Sequence, residues 1–165
     1  MSSSPVIIAE AVRATLAAAH AAGRVAQNIS VERISVNRPS LEQLRDWTPD
    51  ETETLGAIRV FVSPQDEELV PEETDRESLV FNYPIIIAIA AKPATTANAN
   101  VDPLHELRTE LKDYFFKTNP AYALLNRPES AIALETVNDL DQKSLREKRL
   151  FLAEFVVTFK GARPR

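Results

Sequence analysis

FNYPIIIAIAAK, residues 81–92, is an apolar run rich in β-branched side chains, too short to cross a bilayer and closed by the breaker pair Lys92-Pro93. In an extended chain Tyr83, Ile85, Ile87 and Ile89 share one face, and Ile86, Ala88 and Ala90 share the other. Two apolar faces predict a central strand covered on both sides, not an edge strand. Pro84 cannot donate to a ladder and is expected only at the beginning of the strand. The remaining elements are then read as partners of this strand or layers packed on it.

Upstream, residues 57–62 (AIRVFV) read as a second strand with Ile58, Val60 and Val62 on one face, stopped by Ser63-Pro64. Between the two strands lies 65–78, where Asp66, Glu67, Glu68, Glu72, Glu73, Asp75 and Glu77 stand against Arg76. Residues 31–36 (VERISV) alternate apolar and polar and read as the first strand. A polar connection follows from Arg38-Pro39 to Thr54, with a helical turn expected at 40–45 and Trp47 as its anchor. The alanine-rich segment 6–22 carries the stripe Ile8, Ala9, Val12, Leu16 and Ala19, which predicts a helix lying close on a sheet. Ser4 as N-cap and Pro5 at the first helical position open it. Gly23 closes it, with Arg24 beside the negative end of the helix dipole.

Downstream, 93–101 (PATTANANV) reads as a loop of small residues. Asp102-Pro103 repeats the helix-start signal. Leu104, Leu107, Leu111 and Tyr114/Phe115 then recur at helical spacing, which predicts a second amphipathic helix over 103–117. Asn119-Pro120 breaks it, and one short turn is expected at 121–125. Residues 131–137 (AIALETV) read as a fourth strand and 138–149 as a charged lead-in. The last strand, 150–160 (LFLAEFVVTFK), places Phe151, Phe155, Val157 and Phe159 on one face. Residues 161–165 (GARPR) read as a loose basic tail.

The order helix, strand, strand, strand, helix, strand, strand predicts an α+β fold. A mostly antiparallel or mixed sheet of about five strands would carry the two main helices on one face. The length predicts one domain over 1–165, with 1–4 and 161–165 loose at its ends.

The composition is that of an ordinary globular chain, with 44% hydrophobic and 26% charged residues. It contains no cysteine, so disulfides, thiolate nucleophiles and zinc–thiolate sites are excluded. The net charge of −5 argues against general nucleic-acid binding, which works by neutralising phosphates. No secretion signal opens the sequence and no apolar run reaches membrane-spanning length, so no membrane partner is expected. Eleven prolines against three glycines predict long, shaped loops instead of tight glycine hairpins.

The usual catalytic patterns are missing. His20 and His105 are the two histidines, and both are expected on helices, far apart in sequence, where a solvated side chain is the ordinary reading. Gly23, Gly56 and Gly161 fall in no phosphate-binding pattern, and no Gly-x-Ser-x-Gly occurs. The pairs Glu67/Glu68 and Glu72/Glu73 lack the regular ladder and glycine of a calcium loop, and a solvated acidic loop is the ordinary reading. Arg146-Glu147-Lys148-Arg149 reads as the water-facing flank of the last strand more readily than as a phosphate contact. Neither an enzyme nor a bound cofactor or metal is expected.

In order and local pattern the chain resembles the tail terminator, or tail completion, proteins of long-tailed bacteriophages and prophages. In that family an N-terminal helix precedes a strand. A strand ending in proline (58–64 here) is followed by a long variable loop (65–78). A Tyr-led β run ending in lysine comes next (83–92), then a helix that starts at an aspartate and carries leucines (102–115). The chain closes on Glu-x-x-x-Phe…Thr-aromatic…Arg, here Glu147, Phe151, Thr158, Phe159 and Arg163. The resemblance covers roughly residues 6 to 163 and rests on collinear order, since each motif is structural and not catalytic. The chain is longer than the smallest members, with the extra length in 43–55 and 65–79.

The resemblance implies a structural virion protein of the tail's neck end, assembled in the host cytoplasm. It would cap the tail tube as a hexameric ring, stop tube polymerisation and form the joint to the head. Its partners would be other copies of itself, the tube protein and a neck or head-completion protein, with DNA passing through the lumen unbound. An acidic lining suits that passage because it repels phosphate. Asp66, Glu67, Glu68, Glu72, Glu73, Asp75 and Arg76 are accordingly the candidate ring-contact or lumen residues, with a plain solvent loop as the alternative. Ring contacts join unlike patches, and the helix 103–117 with its loop 93–101 and the loop after 57–62 are plausible halves. Other ring-forming head–tail connector, neck or tube-like proteins, and a cellular α+β binding or scaffold domain, remain the alternatives.

Overall fold

The computed structural model describes residues 5–25, 29–34, 58–93, 96–117, 133–135, 142–148 and 150–164. In chain order the elements are α1 (Pro5–Ala21), β1 (Ile29–Arg33), β2 (Ile58–Pro64), β3 (Glu68–Leu69), a 3-10 turn (Pro71–Glu73) and β4 (Ser78–Ala91). They continue with α2 (Asn98–Lys117), β5 (Ala133–Glu135), α3 (Gln142–Lys148) and β6 (Phe151–Pro164). The sheet runs β1-β2-β4-β6-β5, with β3 paired to β4 beyond the end of β2. β1 lies parallel to β2 and the other pairings are antiparallel, so the sheet is mixed. The fold class is α+β.

The isoleucine-rich run is central, as its two apolar faces require: β4 lies between β2 and β6. Tyr83, Ile85, Ile87 and Ile89 are fully buried on one face, together with Phe151, Phe155, Val157 and Phe159 of β6. Each such side chain contributes about 1.5–3 kcal/mol through burial. Helix α1 lays Ile8, Ala9, Val12, Leu16 and Ala19 on this face, and α2 adds Leu104, Leu107, Leu111 and Phe115. Both main helices therefore cover the same side. The opposite face buries Phe61, Ala88, Ala90 and Leu152 in a smaller cluster, with Ser63 and Glu154 as its buried polar residues.

Helix α1 ends as its sequence predicts. Gly23 adopts φ 72°, its amide donates to the carbonyl of His20, and that of Arg24 donates to Ala19. These paired bonds form a Schellman motif, in which a left-handed residue turns the chain back over the last carbonyls.

Several boundaries differ from the sequence reading, each for a local reason. β4 begins at Ser78, so Pro84 lies mid-strand and not at its start. It is tolerated there because three residues, 65–67, stand against Tyr83 and Pro84 between the registers of β2 and β3, forming a bulge. The Gln65 amide still donates to the Pro84 carbonyl at 3.1 Å. β2 ends at Pro64, as the Ser63-Pro64 pair predicts, and pairing with β4 resumes at β3 after the bulge. β1 begins at Ile29, two residues before the alternation of 31–36, of which 35–36 lie outside the described residues. Helix α2 begins at Asn98, not at Asp102, because Asn100 and Val101 both donate to the Ala97 carbonyl and wind the chain before Pro103 arrives.

The lead-in 138–149 contains α3, whose only buried side chain among those described is Leu145, too few to show a helical period. Residues 161–164 are no loose tail. They pair with Ser78–Phe81 and complete β6. The fourth strand is described over Ala133–Glu135. Ser4, the turns expected at 40–45 and 121–125, and Trp47 lie outside the described residues.

Candidate functional site

The acidic segment 65–78 is built into the sheet. β3 sets Glu68 opposite Asn82 and Leu69 opposite Phe81, and the Val70 amide donates to the Val80 carbonyl at 2.8 Å. At the tip, the 3-10 turn closes through Glu73 and Thr74 amides donating to Val70 and Pro71 carbonyls. The Thr74 hydroxyl donates to the Val70 carbonyl at 3.0 Å and accepts from the Val80 amide at 3.2 Å. Return into β4 is fixed by Asp75, whose Oδ1 accepts from the amides of Glu77 and Ser78, each at 2.8 Å, and from the Ser78 hydroxyl at 3.2 Å. An aspartate turn of this kind needs no glycine.

Within this hairpin the candidate carboxylates have separate tasks. Glu73 binds Lys160 of β6 at 2.6 Å, and Asp75 serves its own turn. Asp66, Glu68, Glu72 and Arg76 are exposed, and Glu67 is half-buried. Among the described residues no three carboxylate or histidine groups converge as metal ligands. The arrangement is an ordered acidic projection, with Leu69 49% exposed in it. Apolar exposure on a paired strand edge suits a protein contact.

The bulge also decides which side chains this projection presents. In β2 the even-numbered Ile58, Val60 and Val62 point to the helical face, whereas in β3 the odd-numbered Leu69, opposite Phe81, does so. One extra residue reverses the parity. Without it, Glu68 would hold the position that Leu69 occupies.

A second feature escaped the sequence reading. Arg24 and Val25, just after α1, and His105, Glu106, Glu110 and Asp113 of α2 line an open cleft of about 660 Å³. His105, expected to be simply solvated, is half-buried and stands edge-on to Phe151, with ring centroids 5.3 Å apart. The periodicity of α2 located its buried stripe but gave no sign of which element its flank would face. The charges lining the cleft are mixed, mainly acidic on the α2 side.

No protein-family model matches the chain, and no curated protein matches its sequence. Among the described residues no helix is long and apolar enough to cross a membrane.

Proposed function

We propose that this chain is a structural virion protein, a tail terminator that caps the phage tail tube as a hexameric ring and joins it to the head or neck. It works by shape and charge, without catalysis, cofactor or metal. Its partners are other copies of itself, the tube protein and a neck or head-completion protein, and DNA passes its lumen without being gripped. The observation that supports this reading best is the ordered acidic hairpin 65–78 projecting from a sheet whose central strands are long. A rigid acidic element either lines a lumen that must repel phosphate or meets the neighbouring subunit. The element order that resembles tail terminators supports it further.

The test is electron microscopy of the concentrated protein, with and without isolated tail tubes. Six-fold rings or capped tube ends are expected, and deletion of the gene is expected to give tails of aberrant length or tails that fail to join heads. Normal infectious particles from the deletion would sink the proposal. The cleft between α1 and α2 favours one other reading, a cellular binding domain. That reading expects a strict monomer that leaves tubes uncapped and loses ligand binding on Glu110→Lys.

A further inference from the structure

The ribbon formed by β4 and β6 carries opposite charge at its two ends. Beside the Ser78–Pro164 pair stands the β3 hairpin, with exposed Glu68 and Glu72 and the exposed Leu69. The outer edge of β3 has no strand against it among the described residues. Beside the Ala91–Phe151 pair, at the other end, lies α3. It is anchored by buried Leu145 and presents Lys143, Arg146 and Glu147 to solvent, two cations against one carboxylate. Leu69 stands opposite Phe81, well inside β4 and not at its end, so at about 3.3 Å per residue the two patches lie roughly 30 Å apart. They cannot meet within one chain.

We propose that these two patches are the halves of one head-to-tail contact between copies of this chain, the acidic hairpin of one copy docking on α3 of the next. The contact rests on the tail-cap reading for its closure into a ring. Charge complementarity selects the occupant. A hairpin meeting a second hairpin would set carboxylates against carboxylates, a like-charge arrangement that works against association. The flank of α2 that lines the cleft is no better a partner, because it offers Glu106, Glu110 and Asp113. Lys143 and Arg146 supply both the cations and the methylene stems that can cover Leu69. Unlike patches on opposite ends make a heterologous contact, which closes when the rotation between copies divides a full turn and runs on as a filament when it does not.

The test is a charge swap read by sedimentation velocity at low and high salt. The wild type is expected to associate at low salt and to weaken as salt screens the pairs. Reversing the hairpin (Glu68→Lys with Glu72→Lys) or the helix (Lys143→Glu with Arg146→Glu) is expected to weaken association by roughly tenfold or more. An equimolar mixture of the two reversed proteins should associate again, because each supplies the complement of the other. The neutral pair Glu68→Gln with Glu72→Gln should fall between wild type and reversal. A wild type that stays monomeric at low salt, association indifferent to both reversals, or a mixture that stays monomeric would overturn the contact. Tube capping separates this failure from failure of the cap reading. Reversed variants that still cap tubes refute the contact alone, whereas a protein that obeys the swap but never caps tubes refutes the cap alone.

Discussion

Gln65 donates its amide to the carbonyl of Pro84 at 3.1 Å across the bulge between β2 and β3. In an antiparallel strand a residue's amide and carbonyl point to the same side. The missing N–H of Pro84 therefore also faces the bulge, where the ladder is already interrupted. Replacing Pro84 by Val adds a donor worth about 0.5–1.5 kcal/mol and gives up a proline's restraint of the unfolded chain, about 0.4–1 kcal/mol. The two nearly cancel. Urea denaturation should find Pro84→Val within about 1 kcal/mol of wild type, and Ile87→Pro destabilised by about 3 kcal/mol or more. A large loss at Pro84 would show that the bulge depends on the ring itself.

Phe155 is fully buried, lies opposite Ile87 in the ladder and packs against Phe115 with ring centroids 6.5 Å apart. It ties the sheet to α2. Phe155→Ala is expected to cost about 3–5 kcal/mol, through lost transfer energy and the cavity left behind. Thermal unfolding followed by circular dichroism checks this, and a shift of only a degree or two would mean that the site collapses around the smaller side chain.

The acidic hairpin contains one stronger and one weaker polar anchor. Glu73 and Lys160 are each about a third exposed, so their ion pair contributes no more than about 1 kcal/mol. Asp75 satisfies two backbone amides and a hydroxyl, and its loss should cost about 1–2 kcal/mol, concentrated in the turn. Hydrogen exchange at Glu77 and Ser78 should accelerate in Asp75→Ala and change little in Glu73→Gln. The reverse order would mean that Lys160, not the turn, holds the hairpin.

Glu10 bonds Arg13 at 2.6 Å and approaches Arg33 of β1 at 3.6 Å. The hydrogen bond from Arg13 holds its carboxyl below the ordinary glutamate range. A carboxyl whose folded pKa is depressed stabilises the fold above its unfolded pKa and loses that contribution as pH falls through the folded value. The urea midpoints of wild type and Glu10→Gln should therefore differ slightly at neutral pH and converge below about pH 4. A gap that persists in acid would assign the difference to packing. Exposure of the pair keeps the effect small.

The sequence made some of this architecture plain and concealed the rest for identifiable reasons. The stripe Ile8, Ala9, Val12, Leu16 and Ala19 is the buried face of α1 residue for residue, because helical periodicity and burial have one cause. The two faces of β4 were legible for the same reason in period two. Pro84 misled because a bulge depends on the register of another strand, which no local pattern shows. In α3 one buried leucine cannot establish a period, and 161–164 carry no apolar alternation, since β4 recruits them through the backbone. The acidic character of 65–78 was readable, but its order was not. That order comes from Asp75, Thr74 and the β3–β4 ladder, none of which has a distinctive spacing.

The pairing of Ala91 with Phe151 and of Ser78 with Pro164 also sets the order in which the molecule can be made. A ribosome adding about 5–20 residues per second exposes Ile85, Ile86, Ile87 and Ile89 for several seconds before β6 emerges. During that interval β2 can satisfy one edge of β4, while the other edge stays open and sticky. Closure of so distant a pair should be the slow step of folding. A nascent chain stalled before Phe151 would then be the species most in need of a chaperone.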